Sequence, residues 1–142
     1  MKIEKVRDSL LSDYEVLKHL DEIRESRDSS VRTLKAENVE TIILEVHAYL
    51  RDRPAGNPAN PQSAEKLTEF VRLVKPYELE KAEILQLINV APRSLPVLFN
   101  AIEECDQRFT DEQMEELLEL IAQYVGFEPT PEVEEGEAEE AA

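Results

Sequence analysis

LEKAEILQLINVAPRSLPVLFNAIEECDQRFTDEQMEELLELIAQYV, the stretch from Leu79 to Val125, decides the fold. Ile84, Leu85, Leu87 and Ile88 fit one helical face, and Pro92 ends that pattern. Leu95, Val97, Leu98, Phe99 and Ile102 form a second run beside Ser94, a good N-cap. Pro96 falls in its first turn, where a missing N–H costs least. A third helix opens at Thr110-Asp111-Glu112-Gln113, a capping box in which the threonine oxygen takes the Gln113 N–H and the Gln113 side chain reaches back. Met114, Leu117, Leu118, Ile121 and Val125 then recur at spacings of three and four until Gly126 stops the helix. Short helices with tight connections cannot bury such faces alone, so they must pack on each other and on a neighbour. The fold class this predicts is all-α.

Working outward, Ser63 can cap a preceding helix that carries Leu67, Phe70, Val71 and Val74 before Pro76 halts it. Upstream, Pro54-Ala55-Gly56-Asn57-Pro58-Ala59-Asn60-Pro61 excludes helix and strand interiors and reads as a linker. Ser12-Asp13-Tyr14-Glu15 is another capping box, with Leu11 and Val16 placed for a hydrophobic staple. Val16, Leu17, Leu20 and Ile23 make its stripe, after which Arg24 to Ser30 reads as a polar break. Helical pattern resumes through Val31, Leu34, Val39, Ile42, Ile43, Val46, Tyr49 and Leu50, although Asn38 could equally cap a shorter helix. Met1 to Arg7 reads either as a short edge strand or as a disordered start. The organisation expected is an N-terminal helical arm over 1–53, a Pro-rich linker over 54–62, a helical domain over 63–127 and a disordered acidic tail over 128–142.

The totals narrow the function. A chain of 142 residues suits one domain, or one domain with an arm. The single cysteine, Cys105, excludes an internal disulfide and fits a reducing compartment. No stretch reads as a signal peptide or a membrane span, so a soluble intracellular protein is expected. The net charge of −16 divides into −7 over residues 128–142, which hold seven Glu and no Lys or Arg, and −9 over residues 1–127. Nucleic-acid affinity rests on clustered Lys and Arg, and an acidic body repels phosphate backbones. Direct binding of nucleic acid is therefore not expected.

The ingredients of catalysis are thin. His19 and His47 stand in no metal-binding spacing and read as surface or boundary residues. Cys105 has no histidine partner in the pattern and reads as a small buried residue. Three glycines cannot make a phosphate-cradling loop. Glu112, Glu115, Glu116 and Glu119 share a helix with a clean apolar stripe, which makes them a solvated face. No metal or other cofactor is expected, and no enzyme.

Two groups of residues carry a family resemblance. Leu10-Leu11-Ser12-Asp13-Tyr14-Glu15-Val16 closely matches a Leu-Leu-Ser-Asn-Tyr-Glu-Val signature, with Asp13 in place of the usual Asn. Ala82-Glu83, Leu85-Gln86-Leu87-Ile88-Asn89, Pro92, Glu103-Glu104-Cys105 and Phe109-Thr110 match further downstream. Together, over about residues 8–25 and 38–127, the chain resembles the smaller stalk subunits of eukaryotic RNA polymerase III, the calcitonin-gene-related-peptide receptor component proteins. Archaeal F-type subunits and the RNA polymerase II counterpart are related to them. Glu80 departs from the family, which has a threonine there; a glutamate suits the positive helix end but caps it less well.

The resemblance implies a C-terminal domain like the helicase-and-RNase-D C-terminal (HRDC) domain. It implies a non-catalytic nuclear subunit that forms a heterodimer with a larger stalk subunit carrying an OB-type domain. That heterodimer would dock on the RNA polymerase III core and contact an initiation factor in transcription initiation. On the bare pattern, the helix at Leu11–Ile23 could equally fold onto its own core; the resemblance makes it part of the half that grips the larger subunit. Ile3, Leu10, Leu11, Tyr14, Val16, Leu17 and Leu20 are the partner-binding residues this implies. The alternatives are a stalk subunit of another RNA polymerase, a receptor-associated signalling accessory, and a free-standing HRDC-like nucleic-acid module. No basic amphipathic helix or lipidation motif supports membrane contact.

Overall fold

The computed structural model describes residues 2–6, 8–29 and 37–126. Among them the chain is all-α, with helices α1 (Asp13–Ser29), α2 (Glu37–Arg51), α3 (Ala64–Leu73), α4 (Lys81–Val90), α5 (Leu95–Ala101), α6 (Cys105–Arg108) and α7 (Asp111–Tyr124). Single 3-10 turns stand at Pro54–Gly56 and Lys75–Tyr77. Residues 2–6 are irregular, so no edge strand forms there.

The helix starts follow the local chemistry. Ser63 accepts the Lys66 N–H at 3.3 Å to open α3. Thr110 accepts the Gln113 N–H at 3.3 Å and donates its own to Gln113 Oε1 at 3.0 Å, the reciprocal cap of α7. Glu80 is the N-cap of α4, and its N–H donates to Glu83 Oε2 at 2.8 Å. Pro96 sits in the first turn of α5.

α3, α4, α5 and α7 enclose one core. Phe70, Val74, Leu87, Leu98, Leu117, Ile121 and Val125 have essentially no exposed surface. Each such burial contributes about 1.5–3 kcal/mol relative to exposure. α3 packs on α7, α4 on α5, and α5 on α7. Cys105 is buried in this core, and burial pushes its thiol above the ordinary range, as a packed thiol should be. Between α5 and α7 the path is more elaborate than periodicity implies. Ile102 lies just past α5 in extended backbone, φ −121° and ψ 128°, yet is buried. Glu104 then adopts the left-handed region at φ 50°, and the one-turn α6 follows.

Two expectations are corrected. α1 runs on through the stretch read as a polar break, ending at Ser29 instead of near Ile23. Arg24, Glu25 and Arg27 are good helix formers, and neither Gly nor Pro intervenes. α2 is described from Glu37, within one residue of the shorter helix that Asn38 could open; Val31 and Leu34 lie outside the described residues, as does the acidic tail over 128–142. The Pro-rich segment over 54–62 is irregular, as its prolines require, but it is no free spacer. Pro54 and Ala55 are buried, and their turn packs against α1, α2 and α4. Gly56 is required there, because a Cβ would stand 2.4 Å from Arg51 Cα. Gln62 is buried too, its Nε2 donating to Ile88 O at 3.1 Å and Val125 O at 2.9 Å. Prolines exclude regular structure; they do not exclude burial when the backbone groups find partners.

Candidate partner-binding surface

α1 is held at its start by both its own residues and a distant one. Ser12 is buried, and its N–H donates to Glu15 Oε2 at 2.8 Å. The Glu15 N–H donates back to Ser12 Oγ at 3.2 Å, which completes the capping box. The Asp13 N–H, which has no acceptor inside the helix, donates to Oδ1 of Asn89 in the last turn of α4 at 2.9 Å. Tyr14 packs half-buried against the C-terminal core. Further along, His47 Nε2 and Asp21 Oδ1 lie 2.9 Å apart and join α2 to α1. His19 is exposed, 4.0 Å from Glu22.

The expected partner-binding residues divide into three groups. Ile3, Leu10 and Leu11 are 69%, 62% and 52% exposed, open to a partner. Val16, Leu17 and Leu20 are half-buried on a helix that packs against α2 and the Pro54–Gly56 turn, so they serve their own fold in part. Tyr14 faces inward, onto the core. Among the described residues no group of three or more His, Cys, Asp and Glu side chains is placed to hold a metal ion.

α2 adds exposed apolar residues that were read as part of its helical pattern but not among the expected partner-binding residues. Ile43 and Leu50 are buried, whereas Val39, Ile42 and Tyr49 are 43%, 62% and 57% exposed. Adjacent helix positions point about 100° apart, so Ile42 and Ile43, or Tyr49 and Leu50, cannot share one neighbour. The width of the apolar arc was the available signal. α1 and the Pro54–Gly56 turn cover one flank of it and leave the other open.

A family model described as RNA polymerase Rpb4 matches residues 10–125, from the exposed Leu10 through the end of the helical core. The chain belongs to this RNA polymerase Rpb4 family. The DNA-directed RNA polymerase III subunit rpc9 of Schizosaccharomyces pombe is 32% identical over 127 residues, spanning 85% of this chain and 96% of that protein. The DNA-directed RNA polymerase III subunit RPC9 of Saccharomyces cerevisiae is 28% identical over 160 residues, spanning 87% of this chain and 99% of that protein. The resemblance read from Leu10–Val16 and Leu79–Gln113 is therefore borne out. In this Rpb4-family chain the two groups of matching residues, far apart in sequence, meet through the Asp13–Asn89 hydrogen bond.

Proposed function

We propose that this chain is the smaller, non-catalytic stalk subunit of RNA polymerase III, acting in the nucleus. Residues 1–53 would grip a larger stalk subunit that carries an OB-type domain. Residues 63–127 would stand beside it as a platform for an initiation factor, and the heterodimer would protrude from the polymerase core. The reading is carried by one observation in an Rpb4-family chain. The C-terminal helices close their core, whereas the arm leaves Ile3, Leu10, Leu11, Ile42 and Tyr49 more than half exposed. Gathered on one arm, such side chains are what a partner-binding element would present. The charge of −16 suits a division of labour in which the partner handles nucleic acid and this chain offers a protein-binding face.

A stalk subunit of another polymerase is the second reading; the polymerase III subunits among its relatives favour the first. A tagged chain recovered from its native cell at moderate salt, with bound proteins identified by mass spectrometry, tests both. The larger OB-domain subunit and the polymerase III core should be recovered together, and Leu11→Asp should lose both. Recovery of a different polymerase would support the second reading. Recovery of the chain alone, or with membrane proteins, would overturn both.

A further inference from the structure

The last turn of α4 gathers ties from three parts of the chain. Ile88 O accepts from Gln62 Nε2, which also reaches Val125 O at the end of α7. One residue on, Asn89 Oδ1 accepts the Asp13 N–H. The first amides of a helix have no acceptor within it and are ordinarily met by a residue just upstream. In α1, Ser12 serves the amide of Glu15, but the amide of Asp13 is served from 76 residues away. Tyr14, next in sequence, seats its ring against the same C-terminal core. Leu10 and Leu11 stand immediately before this clamped turn and project outward, 62% and 52% exposed.

We infer that Asn89 is a positioning residue for partner docking: through the Asp13 amide it fixes the direction in which Leu10 and Leu11 are presented. The inference rests on the reading of the arm as the partner-binding element. Its consequence is that the arm and the C-terminal domain present their surfaces in one fixed relation. A partner that engages the arm is thereby oriented over the platform. Without the Asn89 acceptor, the start of α1 frays, and the ordering of the two leucines has to be supplied when the partner binds.

The test uses the full chain as wild type, Asn89→Ala, Asn89→Asp and Leu11→Asp, with two readouts. The first is hydrogen exchange at the Asp13 amide in the free chain. This amide should be protected in wild type, exchange at least about tenfold faster in Asn89→Ala, and regain protection in Asn89→Asp, which keeps an acceptor oxygen of the same shape. The second is affinity for the purified larger stalk subunit. It should fall about five- to tenfold in Asn89→Ala and return to within about twofold of wild type in Asn89→Asp. An unprotected Asp13 amide in wild type would overturn the inference, as would fast exchange in Asn89→Ala with unchanged affinity. Loss of affinity in Asn89→Ala that Asn89→Asp does not rescue would also overturn it. The premise is checked separately: if Leu11→Asp binds as wild type does, the arm reading itself falls, whatever Asn89 does.

Discussion

The two halves of the chain use similar helices to opposite ends. Among the described residues of the arm over 1–53, Ile43 and Leu50 are the large apolar side chains that are buried, while Ile3, Val6, Leu10, Leu11, Val39, Ile42, Leu44 and Tyr49 are exposed. From Leu67 to Val125 the balance reverses, and Phe70, Leu87, Leu98 and Leu117 lie fully inside. The difference is one of enclosure. α3, α4, α5 and α7 cover each other's apolar faces, whereas α1 and α2 have each other and one buried turn, with Asp13 tied to Asn89 of α4. A helix covered over part of its apolar arc is ordered on one side and available on the other.

The largest effect that could break this comparison is in the core. Phe70→Ala should lower stability by about 3–5 kcal/mol, because the surrounding helices cannot collapse onto the cavity. Urea unfolding followed by far-UV circular dichroism would measure it; a loss below about 1 kcal/mol would mean that the core does not carry the fold.

A smaller effect concerns the loops that close the core. Arg108 Nη1 and Nη2 donate to Glu83 Oε1 and Oε2 at 2.6 and 3.2 Å, and Nη1 also donates to Glu103 O at 3.1 Å. Glu83 further accepts the N–H groups of Glu80 and Glu103. Burial alone would raise the Glu83 pKa, but Arg108 and these two amides more than offset it and hold the carboxyl below its usual range. A depressed carboxyl pKa stabilises the fold above the unfolded-state value near about 4.3 and loses that contribution as pH falls through the folded value. Glu83→Gln should therefore lower the thermal midpoint at pH 7 and flatten its decline on the acid side. A decline as steep as that of wild type would remove Glu83 from the account.

The smallest effect on the free chain sharpens the comparison most. Ile42→Asp, on the open flank of α2, should change its stability by no more than about 0.5 kcal/mol. The same substitution should weaken the proposed heterodimer at least about tenfold if that flank extends the partner surface. Calorimetry of the free chain and titration with the larger subunit separate the two quantities. A marked drop in midpoint would show that Ile42 already has a partner within its own chain.

Much of the architecture was legible because it is local. Both capping boxes, the Ser63 cap, Pro96 in a first turn and the Met114–Val125 stripe depend on residues within a few positions of one another. The stops were less legible. Glu78, Ala91 and Glu104 take left-handed backbone at φ 52°, 46° and 50° without the glycine that usually marks it. The one-turn α6 is too short to show a period. Of the residues proposed to meet a partner, Leu10 and Leu11 were identified through the family signature, while the open flank of α2 needed the structure to show which side its neighbours cover.

The sequence by itself determined the helical class, most helix starts, the absence of a cysteine partner for Cys105, the acidic balance and the family. All but the family follow from composition and from contacts within one or two turns; the family was read from its signature residues. Tertiary structure alone decided that Tyr14 turns inward while Leu10 and Leu11 stay out, that Pro54, Ala55 and Gln62 are buried, and that Asn89 serves the amide of Asp13. The physical reason is that an apolar stripe or an unpaired amide states a requirement without naming what meets it. Here the partners lie tens of residues away, brought near only when the C-terminal core closes.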